Sequence, residues 1–178
     1  MEPYPPLVGP VGFRTPVSIV RGRLWVPGSV LPPGAPWEAV EQQPKKVAVV
    51  GAGYIAVEMA GILHGLGSET HLFFRGETVL RHGFDPYIVE TLMAELKAHG
   101  PHLHHRSTPQ RLYKAKDGTT TLCITSAATS GVEEFAGFDC VLVAIGRTPS
   151  TPSLGLERAG VRVAASGHIE VDEYENTS

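Results

Sequence analysis

Two cysteines in 178 residues, Cys123 and Cys140, lie far apart in apolar, strand-like runs. Neither belongs to a C-x-x-C or Cys/His ligand spacing, so both are expected as buried packing residues. A reducing setting follows, cytoplasmic by default, with a mitochondrial one also open. Long apolar runs are missing too. No stretch approaches the roughly 18 residues of a membrane-spanning helix, and the N-terminus lacks the basic-then-apolar pattern of a secretory signal, so no membrane partner is expected. Charge of one sign is scarce: 15 Lys and Arg against 18 Asp and Glu give a net −3, which offers nothing to a nucleic acid or an anionic surface. What remains, 42% hydrophobic and 19% charged, suits a globular domain with a sizeable core.

Proline is abundant but segregated. Ten of the fifteen prolines and five glycines fall within residues 1–44. Proline removes a backbone donor and fixes φ, so this leader is expected to be poorly ordered, with a regular element admitted only across residues 17–26.

Organisation begins at Lys45. The run Val47 to Val50, the turn Gly51-Ala52-Gly53-Tyr54-Ile55-Ala56, an amphipathic segment and a second β-rich run, Thr70 to Phe74, form a strand, glycine turn, helix and strand in order. In that context G-x-G-x-x-A points to a dinucleotide. Gly51 permits the tight turn, Gly53 lets the backbone approach a pyrophosphate, and Ala56 lets the helix pack close to the strand. The helix then starts at the phosphate, its free N–H groups and positive dipole end facing the anion. Ile55, Met59, Ile62, Leu63 and Leu66 are its expected buried stripe, with Gly67 as the stop.

The end of the second strand selects the dinucleotide. An Asp or Glu there accepts hydrogen bonds from the adenine ribose, whereas arginine accommodates a 2′-phosphate. Here Phe74 is followed by Arg75, with Arg81 further on, which favours NADPH. Glu77 lies past the strand and between the arginines, so it is expected to be solvated.

Downstream, Asp85-Pro86 starts a second helix whose stripe is Ile88, Val89, Leu92, Met93 and Leu96. His102 to His105 reads as a third parallel strand. No metal site is expected there, because the histidines alternate across a strand and no cysteine or carboxylate ligand is near. Segments 110–113, 120–125 and 132–135 predict a three-stranded antiparallel meander, with Asp117-Gly118 in its first turn. Asp139 to Ile145 is the last parallel strand. The predicted class is therefore α/β: a Rossmann-like parallel sheet with helices and an inserted antiparallel meander. Since ligands on such sheets bind at the carboxyl ends of strands, Gly146 and Arg147 are expected to face the same cleft as Gly51 to Ile55.

GAGYIAVEMAGILHGLGSETHLFFR, then VLRHGFDP, VLVAIGRTPS and GHIEVDEYENTS, in this order and at these intervals, resemble the NADPH-binding domain of the glutathione reductases, a family of flavoprotein disulfide reductases. The likeness covers about Lys45 to Ser178. The related dihydrolipoamide dehydrogenases share the fold but resemble NAD binders, with an acid where Arg75 stands. The resemblance implies that Ala52, Ile55, Glu58, Arg75, Arg81 and Gly146 contact NADPH, with Arg75 and Arg81 on the 2′-phosphate and Arg147 near the nicotinamide half. It implies that Tyr54 covers a flavin until nicotinamide displaces it, and that Glu58 pairs with a lysine beside that flavin. FAD as second cofactor, glutathione disulfide as substrate and a homodimer are implied in the same way.

The family's FAD domain, redox Cys-x4-Cys pair and interface domain with its His-Glu pair have no counterpart in this sequence. The expectation is a chain truncated at both ends relative to the family: residues 1–44 a leader, 45–150 the NADPH-binding domain, and 151–178 a segment leading towards the absent domains. It would carry no catalytic residue and little of the FAD site. Gly76, where many relatives place a second basic residue, is expected to weaken the NADPH preference. Two functions stay open: the NADPH-binding domain of a glutathione reductase, serving NADPH-dependent reduction of glutathione disulfide through FAD in redox homeostasis, or a stand-alone, non-catalytic NADPH-binding module.

Overall fold

The computed structural model describes residues 43–81, 83–126, 131–146 and 149–178, and the backbone of residues 18–20. It divides into two units after Gly146. The first holds β1 (Ser18–Val20), β2 (Lys46–Val50), α1 (Tyr54–Gly65), β3 (Glu69–Phe73), α2 (Pro86–His99), β4 (His102–His104), β5 (Ser107–Lys114), β6 (Thr120–Ser126), β7 (Val132–Phe138) and β8 (Cys140–Val143).

Five strands form one sheet in the order β1-β8-β2-β3-β4, and β5-β6-β7 form the expected antiparallel meander. β2 pairs in parallel with both β3 and β8, and β3 in parallel with β4. The chain winds from β2 through β3 to β4 on one side, then places β8 on the other side of β2. That reversal makes the carboxyl ends of β2 and β8 a topological switch point, where open α/β sheets take their ligands. β1 adds antiparallel to β8 and falls in the part of the leader where the sequence admitted an element. The rest of the leader lies almost wholly outside the described residues.

Period-two alternation sends each strand's side chains to two cores. Val47, Val49, Leu72, Cys140 and Leu142 meet α1 and α2 through Ala56, Ala60, Val89, Met93 and Leu96. Ala48, Val50, Phe73, Val141 and Val143 meet the meander through Leu112, Leu122, Ile124 and Phe138. Covered on both faces, β8 and β2 from Val47 onward are apolar without a break, as buried parallel strands are. Each fully buried Leu, Val or Phe contributes about 1.5–3 kcal/mol. Both cysteines are buried, as expected, and neither is in a disulfide.

α1 buries its small residues most deeply. Ala56 and Ala60 are its buried positions, while Ile62 and Leu66 are exposed. The expected stripe holds at Ile55, Met59 and Leu63, which are half-buried against the helix-side core, and is corrected at Ile62 and Leu66. The helix is apolar nearly all round, so its periodicity selects no face, and the small alanines alone allow the close approach to β2. α2 fits its prediction at Val89, Met93 and Leu96, with Asp85 accepting from the Tyr87 N–H at 2.8 Å as N-cap, but Ile88 is exposed.

The second unit is built from turns. Pro152–Leu154 and Leu156–Ala159 are single 3-10 turns. Val163 and Ile169 form an isolated antiparallel bridge, and Arg162 pairs with Glu170 at 3.1 Å. Asp172 closes the last turn by accepting from the Tyr174 and Asn176 N–H groups, both at 2.9 Å. Among the described residues no helix is long and apolar enough to cross a membrane.

Candidate functional site

Gly51, the first residue after β2, holds φ 149°, and a Cβ built there would stand 2.3 Å from the Ala144 carbonyl oxygen and 3.1 Å from the Ala56 Cβ. Only glycine fits between the end of β8 and the start of α1. Its N–H donates to Phe73 O at 2.9 Å, so the turn is tied to β3 as well. Gly53 is the opposite case. It caps α1 without a side-chain hydrogen bond, and nothing lies within 4 Å of where its Cβ would be. The first intrahelical bond runs from Val57 N–H to Gly53 O at 3.2 Å, so the amides ahead of Val57 lie before the first helical carbonyl and have no acceptor within the helix. The fit to a diphosphate is good: an uncapped helix start, a positive dipole end and room for a close approach.

The loop after β3 folds back onto this turn. Leu80 donates its N–H to Ala52 O at 2.7 Å, while Val79 and Leu80 are buried in the helix-side core. Arg81 therefore emerges beside the glycine turn. Its side chain lies across Gly76, with Cδ at 2.7 Å and Cζ at 3.2 Å from the position a Cβ would take there. That brings Arg81 against the residue that follows Arg75, so the two arginines share one end of the sheet. Among the described residues neither has an ion pair.

The other expected site residues fall in or near the same place. Ala52 and Ile55 are half-buried in the turn and the first helical turn, and Ile55 packs on the core. Tyr54 is 44% exposed. Glu58 is exposed on α1 and, among the described residues, makes no ion pair. Ala144 N–H donates to Val50 O at 2.7 Å, extending the β8 pairing to within two residues of the exposed Gly146. Arg147 lies outside the described residues.

Two features of the site were not foreseen. Glu77 is not simply solvated: its carboxylate is ion-paired with Arg106, at a half-exposed position. Arg106 itself follows β4, and its N–H donates to Gly76 O at 3.0 Å. The signal was present, since β4 is parallel to β3 and its end must lie beside the end of β3, making any basic residue just after it a neighbour.

The strongest pKa perturbations lie elsewhere, on the sheet face covered by the meander. Burial pushes His104 down to about 4 and lowers His71 as well. His71 Nε2 bonds Glu69 at 3.0 Å and its Nδ1 lies 2.9 Å from His104 Nε2. With both rings neutral, His71 donates to the carboxylate and accepts from His104, a network that fixes both tautomers. The bond from His71, then Lys46, holds Glu69 at about 2. His104 also stacks on Phe73 with centroids 4.3 Å apart, so these histidines are packing groups. Among the described residues no group of three or more His, Cys, Asp or Glu is placed to hold a metal ion.

The family model of pyridine nucleotide-disulphide oxidoreductases matches residues 36–178. Over 136 residues the chain is 46% identical to the glutathione reductase, chloroplastic/mitochondrial, of Pisum sativum, covering 76% of this chain and 23% of that protein. Over 140 residues it is 41% identical to the glutathione reductase of Yarrowia lipolytica, covering 79% of this chain and 29% of that one. Among solved structures, the Cu(II) complex of the HOCl-induced flavoprotein disulfide reductase RclA from Escherichia coli superposes with a TM-score of 0.62 at 25% identity, over 78% of this chain and 30% of that chain. The chain thus spans less than a third of the length of these relatives.

Proposed function

Because this chain belongs to the pyridine nucleotide-disulphide oxidoreductase family, we propose that its residues 45–150 bind NADPH at the glycine turn and serve the reaction of a glutathione reductase. One observation carries the choice of dinucleotide: Arg81 lies against Gly76, next to Arg75, in a loop bonded to the glycine turn through Leu80 and Ala52. The helix start and Gly53 would take the diphosphate, and the two guanidinium groups the 2′-phosphate. Ala52, Ile55, Glu58 and Gly146 would line the remaining cofactor, with Arg147 towards the nicotinamide and Tyr54 at the flavin side.

In the complete reaction NADPH and a proton reduce glutathione disulfide to two thiols, giving NADP+, with FAD supplying the electron relay. This chain's residues bind and orient the donor, and no step through flavin is derived from them. A homodimer and a cytoplasmic or mitochondrial location accompany this proposal. A second reading, binding without catalysis, is favoured by one observation: Cys123 and Cys140, the two cysteines of the sequence, are both buried and neither is in a disulfide.

Calorimetric titration with NADPH and NADH tests the binding, with the flavin absorbance of the same sample recorded. NADPH should bind at least about tenfold tighter, the value of one charge-assisted phosphate contact. Equal affinity would reject the phosphate site. A colourless protein that binds NADPH but consumes none with glutathione disulfide would favour the non-catalytic module.

A further inference from the structure

The arginines at the end of β3 have a carboxylate among them. Glu77 follows Gly76 directly, and Arg81 lies across that glycine. An unpaired acid at the end of this strand would repel a phosphate and accept hydrogen bonds from ribose hydroxyls, favouring the unphosphorylated dinucleotide. Glu77 is paired: its Oε1 accepts from Arg106 Nε. The corner that carries Arg106 is stitched to β3 by three backbone bonds. Phe74 N–H donates to His104 O at 2.9 Å, Ser107 N–H to Phe74 O at 3.0 Å and Arg106 N–H to Gly76 O at 3.0 Å. Arg106 adopts φ 51° at this corner, a conformation uncommon outside glycine, asparagine and aspartate.

We propose that Arg106 is a specificity-determining residue that occupies and neutralises the Glu77 carboxylate, so that Arg75 and Arg81 present their charge to a 2′-phosphate unopposed. This rests on the NADPH-binding reading and deepens it. Arg106 acts through Glu77 and touches no phosphate. The pair is about half exposed, with side chains 51% and 58% accessible, so its own contribution to stability is small, about 0–1 kcal/mol. Its effect is expected in ligand choice rather than in folding.

The test measures binding of 2′,5′-ADP and of ADP to the full chain by calorimetry. Arg106→Asn removes the charge with a residue that tolerates the left-handed backbone. It should weaken 2′,5′-ADP about fivefold and leave ADP within about twofold, as expected for one exposed charge pair. Arg106→Lys should restore most of the loss. Glu77→Gln should leave 2′,5′-ADP binding within about twofold of wild type, because the carboxylate it removes is already neutralised, and adding Arg106→Asn to it should change nothing further. Unchanged 2′,5′-ADP binding in Arg106→Asn would overturn the proposal, as would an equal loss in the Glu77→Gln background. Urea midpoints of all variants separate these effects from unfolding. Failure of the wild type to prefer 2′,5′-ADP over ADP defeats the NADPH reading itself. A wild-type preference that Arg75→Ala abolishes and Arg106→Asn leaves intact removes Arg106 alone.

Discussion

Leu80 donates its backbone N–H to the carbonyl of Ala52 at 2.7 Å, fastening the loop that carries Arg81 to the turn that would hold a diphosphate. Burial of Leu80 and Val79 anchors that contact in the helix-side core. On the proposed reading, phosphate selection and diphosphate binding would therefore share one support. Arg75→Ala should cost NADPH about tenfold in affinity and NADH about twofold or less, because only the former offers the extra phosphate. Equal losses in parallel titrations would remove Arg75 from that role.

Gly76 allows a subtler version of the same experiment. A methyl group there would meet the Arg81 Cδ at 2.7 Å and Nε at 2.9 Å, atoms of a flexible side chain that can swing aside. Gly76→Ala should therefore leave the urea midpoint nearly unchanged while displacing Arg81 and lowering NADPH affinity about threefold or more, part of a charge-assisted contact. NADH binding should not respond.

The two turn glycines should separate folding from binding. Gly51→Ala sets a Cβ 2.3 Å from the Ala144 carbonyl oxygen, and Ala144 is itself held by its bond to Val50. Neither strand end can yield cheaply, so a stability loss of about 3 kcal/mol or more is expected by denaturant unfolding. Gly53→Ala meets nothing within 4 Å and keeps an ordinary φ of −81°. Its stability should stay within about 1 kcal/mol of wild type, the scale of an N-cap change. NADPH affinity should nevertheless fall, because the added methyl enters the space left for the diphosphate. Retained affinity in Gly53→Ala would displace the diphosphate from this turn.

β2 and β8 were legible because burial on both faces writes an apolar run, and the glycine turn because Gly51 and Ala56 have packing reasons visible as residue types. The meander was legible from alternation, though β7 continues to Phe138 rather than stopping at residue 135. Towards the end of α1 apolarity misleads, because the helix is apolar nearly all round: Ile62 and Leu66 are exposed, and the closest contact is made by the small Ala56 and Ala60. Arg106 and the Glu77 pair depend on two strand ends lying side by side, and the partner of a charged residue beyond a strand is not encoded in local pattern. His71 was overlooked for the same reason, since its bond to His104 spans two parallel strands.

That histidine pair predicts an acid-sensitive fold. In the unfolded chain His104 titrates near its ordinary value of 6.5, whereas burial holds it at about 4 when folded, and His71 is lowered in the same direction. The unfolded state therefore binds more protons across that window. The charged groups facing the pair, Lys46, His102 and His105 against Glu69 and Glu133, do not reverse the sign. Stability should be complete above about pH 6.5 and fall as pH drops towards 4, with Glu69 adding a further loss between 4.5 and about 2. Urea midpoints at half-unit steps measure this, and His104→Leu should flatten the upper part of the profile. A midpoint independent of pH between 6.5 and 4 would contradict the neutral, buried assignment.

Thr120 offers the opposite kind of change, one that improves the fold. It opens β6 with no exposure, and its Oγ1 is the one buried side-chain polar atom without a hydrogen-bond partner among the described residues. Its neighbours in the meander core, Leu112, Leu122 and Phe138, are apolar and fully buried. An unpartnered hydroxyl in such surroundings carries a desolvation penalty of about 1–3 kcal/mol, part of which valine of the same shape recovers. β-branching is kept, so the strand backbone and χ1 are undisturbed. Thr120→Val should raise stability by about 0.5–1 kcal/mol in denaturant unfolding, with NADPH affinity unchanged because the meander covers the sheet face opposite α1. A destabilised variant would mean that the hydroxyl has a hydrogen-bond partner in solution, such as an ordered water, that valine cannot replace.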